Sequence, residues 1–461
     1  MLLFIISLYS FGQINNRISG TYFLTTIELP NKAVFDEWIK ELKNLIYNFM
    51  KISVIIQIIL FTICLNATAQ KLSFGTGLDL SQDQNIEIED AAFITTQLKD
   101  KRLVLLGEMN HGDGTTFKIK TGIIKYLHDN LDYNYLVLEN SIFNSNIFWQ
   151  LLNQTEDTQS NAQDHIYKIW SQIEETRELY KYLLEQEKQG KPLKLLGIDC
   201  QFSGKENSKA FVNLVGRILG VDETSSIKFQ QFAYELELMG PWLTALPQDK
   251  HQISRVEFLS LLNYYEDEVA KKVNEKIKVI WNLYFENIKI LLQIRWPEKD
   301  NTIDIAAARD IQMFDNLKYH LDSNPAGSKF IVWAASFHIL RNWNSLDADI
   351  PNSETLGEYI YTNYPDETYS IGFTANKGQI LNFLNKENVG IVKTKRKSLE
   401  WYCSKSINNY LFIDLKKFEE QYQLNQYTTK ILNMNIISRW SDNFDAVIFI
   451  NEMQPSTSKW D

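Results

Sequence analysis

The chain has 461 residues, 44% of them hydrophobic and 23% charged, and a formal net charge of −10. That length and apolar content suffice for a large buried core, in one elaborated domain or in two. The acidic balance, with no nucleic-acid-binding motif, excludes a role built on neutralising phosphates, so no nucleic-acid partner is expected.

Residues 1–49 read as an extension of uncertain standing, with a short amphipathic helical pattern over 31–49. Met50-Lys51 opens a second apparent start. It is followed by the apolar run Val54–Leu65, and Ala67-Thr68-Ala69 supplies a small-x-small cleavage pattern before Gln70. A positive start, a short apolar stretch and small residues at the cut are the form of a secretory signal peptide, and the run is too short for a comfortable membrane span. The expectation is a signal peptide over 50–69, a periplasmic or secreted mature chain, and no stable membrane insertion after cleavage. The rival account is a genuine extension with 54–65 as an anchor. Cys64 falls in the cleaved segment. Cys200 and Cys403 are too few for a disulfide framework, although export would allow them to pair.

Over 70–461, short apolar runs alternate with helical patterns. The runs are Arg102–Gly107, Tyr135–Glu139, Leu193–Asp199, Lys329–Ala334, Tyr369–Phe373 and Asp445–Ile450. Their hydrophobicity is continuous, as in strands buried on both faces of a parallel sheet. Phe117–Asp129 reads as a crossover helix between the first two, which makes a βαβ unit. Residues 203–325 carry long charged-and-apolar helical patterns and read as a helical insertion. Residues 375–440 look mixed. The predicted class is α/β, a mainly parallel sheet flanked by helices.

Parallel sheets bind ligands beyond the carboxyl ends of their strands. Glu108, His111 and Asp113 follow the first run, Glu139 and Asn140 end the second, and Asp199 ends the third. Ser336, His338 and Arg341 follow the fourth. Such a group is suited to acid–base work. His111 can take a proton from water, with Glu108 or Glu139 fixing its tautomer, and His338 or Arg341 can stabilise an oxyanion. Packing roles compete with this. Gly107 and Gly112 fit a tight turn, Asp113 a helix N-cap, His338 a satisfied histidine near the core, and Cys200 an apolar filler. His111, between Asn110 and Gly112 in a loop after a strand, is poorly explained by packing. No G-x-S-x-G elbow, H-E-x-x-H, Walker A or G-x-G-x-x-G motif is present, and no local spacing marks a metal site, so neither cofactor nor metal is expected.

The motif Leu106-Gly107-Glu108-Met109-Asn110-His111-Gly112 resembles the G-E-x-x-H-G signature of the erythromycin esterase-like family. The resemblance continues in order through Val137–Asn140, Gly197–Asp199, Arg309-Asp310 with Met313 and Asn316, and Val332–Ala334 with His338. Leu356–Glu358, Ser398–Glu400 and Phe444–Ala446 with Phe449-Ile450 extend it, so that it covers about 95–452. It implies a helical insertion over a deep cleft and hydrolysis of a small-molecule ester or lactone without a covalent nucleophile. His111 would be the general base, Glu108 and Glu139 would orient or assist it, and His338 would share the cleft. Arg309 would serve either the site or the buried scaffold. The macrolide-active members carry two histidines in the fourth block, whereas this chain has Ala335 and His338. Their arginine after the H-G pair is also missing, with Lys118 or Lys120 available to replace its charge. These departures point to a substrate other than a macrolide. Two further readings remain at this stage: a metal-dependent hydrolase with His111, His338 and carboxylates as ligands, and a periplasmic protein that binds a ring-shaped ligand or haem without turnover.

Overall fold

The structure is a computed structural model that describes residues 32–68, 73–155, 157–224, 226–240, 248–297, 304–347 and 353–457. The chain divides into two units, Met1–Lys71 and Leu72–Asp461. The described residues of the first form a helix, Lys32–Thr68. It runs without a break from Lys32 into the segment read as a signal peptide, and residues 31 and 69 of the two segments read from the sequence lie outside the described ones. Among the described residues no helix is long and apolar enough to cross a membrane.

The second unit is built on a ten-stranded sheet. Its strands are β1 (Gly75–Leu80), β2 (Ile86–Ile88), β3 (Leu103–Leu106), β4 (Tyr133–Ser141), β5 (Lys194–Asp199), β6 (Lys329–Trp333), β7 (Thr368–Asn382), β8 (Glu387–Gly390), β9 (Tyr410–Asp414) and β12 (Ala446–Met453). Between the last two, β10 (Tyr427–Ile431) and β11 (Met434–Ser438) form a separate hairpin. The order across the sheet is β2-β1-β9-β12-β7-β3-β6-β4-β5, with β8 folded back on β7. From β12 to β5 every neighbour is parallel. At the other edge β9, β1 and β2 pair antiparallel. The six apolar runs read from the sequence are the six parallel strands. The antiparallel edge is the addition: β1 and β2 are short and mixed in polarity, whereas β9 carries the apolar run Tyr410–Ile413, buried on both faces, in a stretch that reads only as mixed.

Alternation along each strand explains the two-sided core. Val104 and Leu106 join one apolar layer, while Leu103 and Leu105 join the other. On β6, Ile331 and Trp333 go one way and Phe330 and Val332 go the opposite way. The crossover helix Gly114–Leu131 buries Phe117, Ile124 and Leu127 in the first layer. Helices from Asn207–Leu219 to Ile305–Ser323 form the insertion expected over 203–325. Most of them close around a third cluster centred on Phe211, Phe232, Phe258 and Phe285. The last helix of the stretch, Ile305–Ser323, instead turns Met313 and Leu317 into the sheet's second layer. That packing brings its first turns to the sheet edge. Cys200 and Cys403 are both buried and free, so the pairing that export would allow is not made.

Candidate active site

Because β3, β4, β5 and β6 run parallel, their carboxyl ends share one edge of the sheet. Glu108 lies two residues past β3, Glu139 near the end of β4, Asp199 is the last residue of β5, and the segment 334–338 leaves β6. The β4–β5 register shifts between Leu138 and Ser141, so Glu139 sits in an irregularity of the strand.

Two hydrogen-bonded groups result. In the first, Glu108 is fully buried. Its Oε1 lies 2.7 Å from His111 Nδ1, and its Oε2 accepts from Lys120 Nζ at 2.7 Å and Trp333 Nε1 at 2.6 Å. Burial favours the neutral acid, but Lys120 and His111 outweigh it and hold the carboxyl below its usual pKa. Lys120 is itself buried, and desolvation pulls it down to about 8 against the attraction of Glu108. His111 is the half-exposed member, with 23% of its side chain accessible. Its ring meets the edges of Trp170 and Phe383, and its Nε2 makes no hydrogen bond among the described residues.

The second group is centred on Arg309. Its Nε and Nη2 donate to the two oxygens of Asp199 at 3.1 and 2.8 Å, and Nη2 also reaches Glu139 Oε1 at 2.8 Å. His338 Nδ1 donates to Asp310 Oδ1 at 2.7 Å, while Nε2 lies 3.2 Å from Glu139 Oε1 and 3.0 Å from Arg309 Nη1. A neutral imidazole would accept from Arg309 at Nε2, whereas an imidazolium donates to Glu139 there. Burial disfavours the charge, but Asp310 and Glu139 outweigh it and push His338 up to about 10, so the imidazolium is the form present at neutral pH. Burial likewise opposes charge on Glu139, and His338 and Arg309 bring it well below the carboxylate range. Tyr167 and Gln201 complete the shell of Asp199.

The segment after β6 joins the two groups. Ala335 N donates to Glu139 Oε2 at 2.8 Å, and Ser336 N donates to the Glu108 carbonyl at 2.9 Å. The structure thus brings together Glu108, His111, Glu139, Asp199, Arg309 and His338. It does not bring in Arg341, which is tied to Asp445 at 2.9 Å and to the Ser441 carbonyl, with its guanidinium over Tyr361. The oxyanion role considered for Arg341 does not fit its position, because Nη1 and Nη2 are taken up by Asp445 and the Ser441 carbonyl, away from the sheet edge. His338 is equally engaged, since both its nitrogens face carboxylates. Asp113 stands at the helix N-cap, yet its side chain makes no capping bond. It turns back to accept from Asn110 N at 2.9 Å, and burial pushes its carboxyl well above the usual carboxylate range. Sequence reasoning did not foresee Trp333, Asp310, Tyr167 and Trp170 as partners. Asp310 adjoins Arg309 in a quoted motif, but nothing local announced that it would face His338. Lys120, one of the two lysines named for the missing charge, is the one that reaches Glu108. Among the described residues no group of three or more His, Cys, Asp or Glu side chains is arranged to hold a metal ion.

Comparison with known proteins agrees with this architecture. A family model described as erythromycin esterase matches residues 128–453. A Bacillus subtilis (strain 168) protein named "Putative hydrolase YbfO" is 27% identical over 335 residues, 68% of this chain and 72% of that protein. Among solved structures, a Bacillus cereus protein superposes with a TM-score of 0.63 at 17% identity, covering 83% of this chain and 97% of that one. A mutant of erythromycin esterase EreC in its open conformation superposes with a TM-score of 0.62 at 15% identity, covering 83% and 98%. At these identities the structural likenesses show the fold.

Proposed function

The chain belongs to the erythromycin esterase family, and from that premise we propose that it is a hydrolase cleaving an ester or lactone by water attack, with His111 as general base. The observation that carries the reading is the 2.7 Å pairing of His111 Nδ1 with a buried, doubly anchored Glu108, in a side chain that stays partly accessible and whose Nε2 makes no hydrogen bond among the described residues. With Nδ1–H donated to Glu108, the lone pair lies on Nε2. A water there gives its proton to His111 as its oxygen bonds the acyl carbon and the carbonyl electron pair moves onto oxygen. Collapse of the tetrahedral intermediate breaks the acyl–oxygen bond, and the leaving alkoxide takes the proton back from the imidazolium. Glu108 stabilises that imidazolium. Lys120 and Trp333 keep Glu108 from drifting. Glu139, Asp199, Arg309, Asp310 and His338 satisfy one another and act as the rigid floor that sets the 334–338 segment. Their carboxylates already pair with cationic side chains, so ligation of a metal by Glu139 or Asp199 would require those ion pairs to break.

The substrate is read as an ester or lactone other than a macrolide, on the departure at Ala335. The test is hydrolysis of a panel of esters, lactones and macrolides by the chain from Gln70, alongside His111→Ala and chelator-treated enzyme. Turnover that persists in chelator and drops about 10²- to 10⁴-fold in His111→Ala is expected. Turnover abolished by the chelator would replace this mechanism with a metal-dependent one. Full turnover by His111→Ala would remove His111 from the chemistry.

A further inference from the structure

We propose that the carboxy-terminal segment Gln454–Thr457, locked in place by Glu175, is a clamp that positions the His111 loop. The inference rests on the reading of His111 as the catalytic base. Since β12 runs parallel to β7, and β7 to β3, its carboxyl end emerges at the edge where the Gly107–Gly114 loop begins. The chain leaving β12 then bonds that loop residue by residue. Gln454 N donates to Thr115 Oγ1 at 2.9 Å, and Thr115 N returns to the Gln454 carbonyl at 3.3 Å. Ser456 N donates to the Gly112 carbonyl at 2.9 Å, and the same carbonyl accepts from Leu381 N at 3.1 Å. The carbonyl of Gly112, the residue after His111, is thereby held from two sides, by the strand and by the tail.

The space around the loop is filled to match. A Cβ at Gly112 would lie 1.8 Å from the Leu381 carbonyl oxygen, and one at Gly114 would lie 2.6 Å from the Pro455 carbonyl oxygen. The far end of the tail is pinned by Glu175, a buried carboxylate that grips Thr457. Its two oxygens accept from Thr457 N at 3.1 and 3.0 Å, and Oε1 also accepts from Thr457 Oγ1 at 2.8 Å. A carboxylate is costly to bury, and bonds to backbone N–H and hydroxyl are what offset that cost here. Glu175 also belongs to the segment that carries Trp170, which is tied to it through the bond of Thr176 Oγ1 to the Trp170 carbonyl. Trp170 packs edge-on against the His111 ring, with centroids 5.9 Å apart. Loop, tail, Glu175 segment and Trp170 therefore close a ring around His111. Glu175 and Thr457 are positioning residues, because they act on His111 through the loop.

The experiment compares the full chain with Thr457→Pro, Glu175→Ala and Glu175→Gln. Thr457 is exposed, so its replacement by proline removes both donors to Glu175 without opening the core. Amide hydrogen exchange is followed in peptides covering 107–117 and, as controls, in β3 and β6. Steady-state constants are measured on the best panel substrate. Exchange in 107–117 is expected to accelerate about tenfold with the controls unchanged. In Thr457→Pro and Glu175→Ala, kcat should fall about 10- to 100-fold with KM within about twofold. Glu175→Gln, which keeps one acceptor oxygen, should lie between them and wild type. Unchanged exchange and kcat in Thr457→Pro would overturn the clamp, as would acceleration spread evenly over the whole domain. If the wild type turns over no substrate, the hydrolase reading falls, and the exchange data alone decide the clamp by the same criterion.

Discussion

Replacing Lys120 with methionine tests the first group most directly. Lys120 and Glu108 are both fully buried and 2.7 Å apart. The substitution preserves the length and apolar stem of the side chain but removes the cation from a carboxylate that keeps only His111 and Trp333 as partners. Breaking a buried pair from one side costs about 3–5 kcal/mol. That is a large share of the roughly 5–15 kcal/mol by which domains are stable, so the thermal midpoint should drop by several degrees. The folded variant has two ways to relieve the stranded charge, and both damage catalysis. If Glu108 takes a proton, it no longer stabilises an imidazolium. If His111 takes it, the base is occupied before water arrives. The expected loss in kcat/KM is about 100-fold or more at neutral pH. The wild type carries a corresponding pH signature. Lys120 titrates at about 8, so above that pH Glu108 loses its counter-charge and activity should decline. The stability contribution of this group has the opposite sign. Its folded pKa lies below the 10.5 of the free side chain, so the unfolded chain holds the proton more tightly between about pH 8 and 10.5, and this group's share of stability rises across that window. Circular dichroism melts and a pH series of kcat/KM measure both effects. A Lys120→Met protein with wild-type melting and wild-type kcat/KM would refute the reasoning.

Arg309→Met leaves Glu139 and Asp199 buried without their shared cation, so a loss of about 3–5 kcal/mol in denaturant unfolding is expected. Arg309→Lys should restore only part of it, because an ammonium cannot span both oxygens of Asp199 while also reaching Glu139. Arg341→Ala should lower stability through its lost bonds to Asp445 and Ser441 yet leave kcat/KM within about twofold, and a larger loss would return Arg341 to the site. Export is tested by mass spectrometry of the protein recovered from the periplasm or medium of a Gram-negative host. A mature amino terminus at Gln70 is the expected result, and a chain retained in the membrane with residues 50–69 intact would refute it.

What the sequence determined by itself was the set of parallel strands and the residues at their ends. A strand covered on both faces must be apolar throughout, and a polar residue closing such a run must lie where the run leaves the sheet. Glu108, Glu139 and Asp199 were therefore legible one strand at a time, and His111 stood out because a histidine in a glycine-bracketed turn has little to pack against. Only the tertiary structure decided which of these groups pair. Arg309 meets Glu139 across 170 positions and Asp199 across 110, and no local period encodes such a meeting. It depends on how the insertion's last helix, Ile305–Ser323, docks against the sheet. The same holds for Lys120, which a helix of 3.6 residues per turn places on one face but which only the helix's packing against β6 aims at Glu108 and Trp333. Arg341 shows the converse. It follows the fourth strand as His338 does, three residues further on, but the chain turns before reaching it, and its charge is spent on Asp445. Local pattern records what each residue must be buried in or exposed to, whereas the partner of a buried charge is a property of the assembled layers.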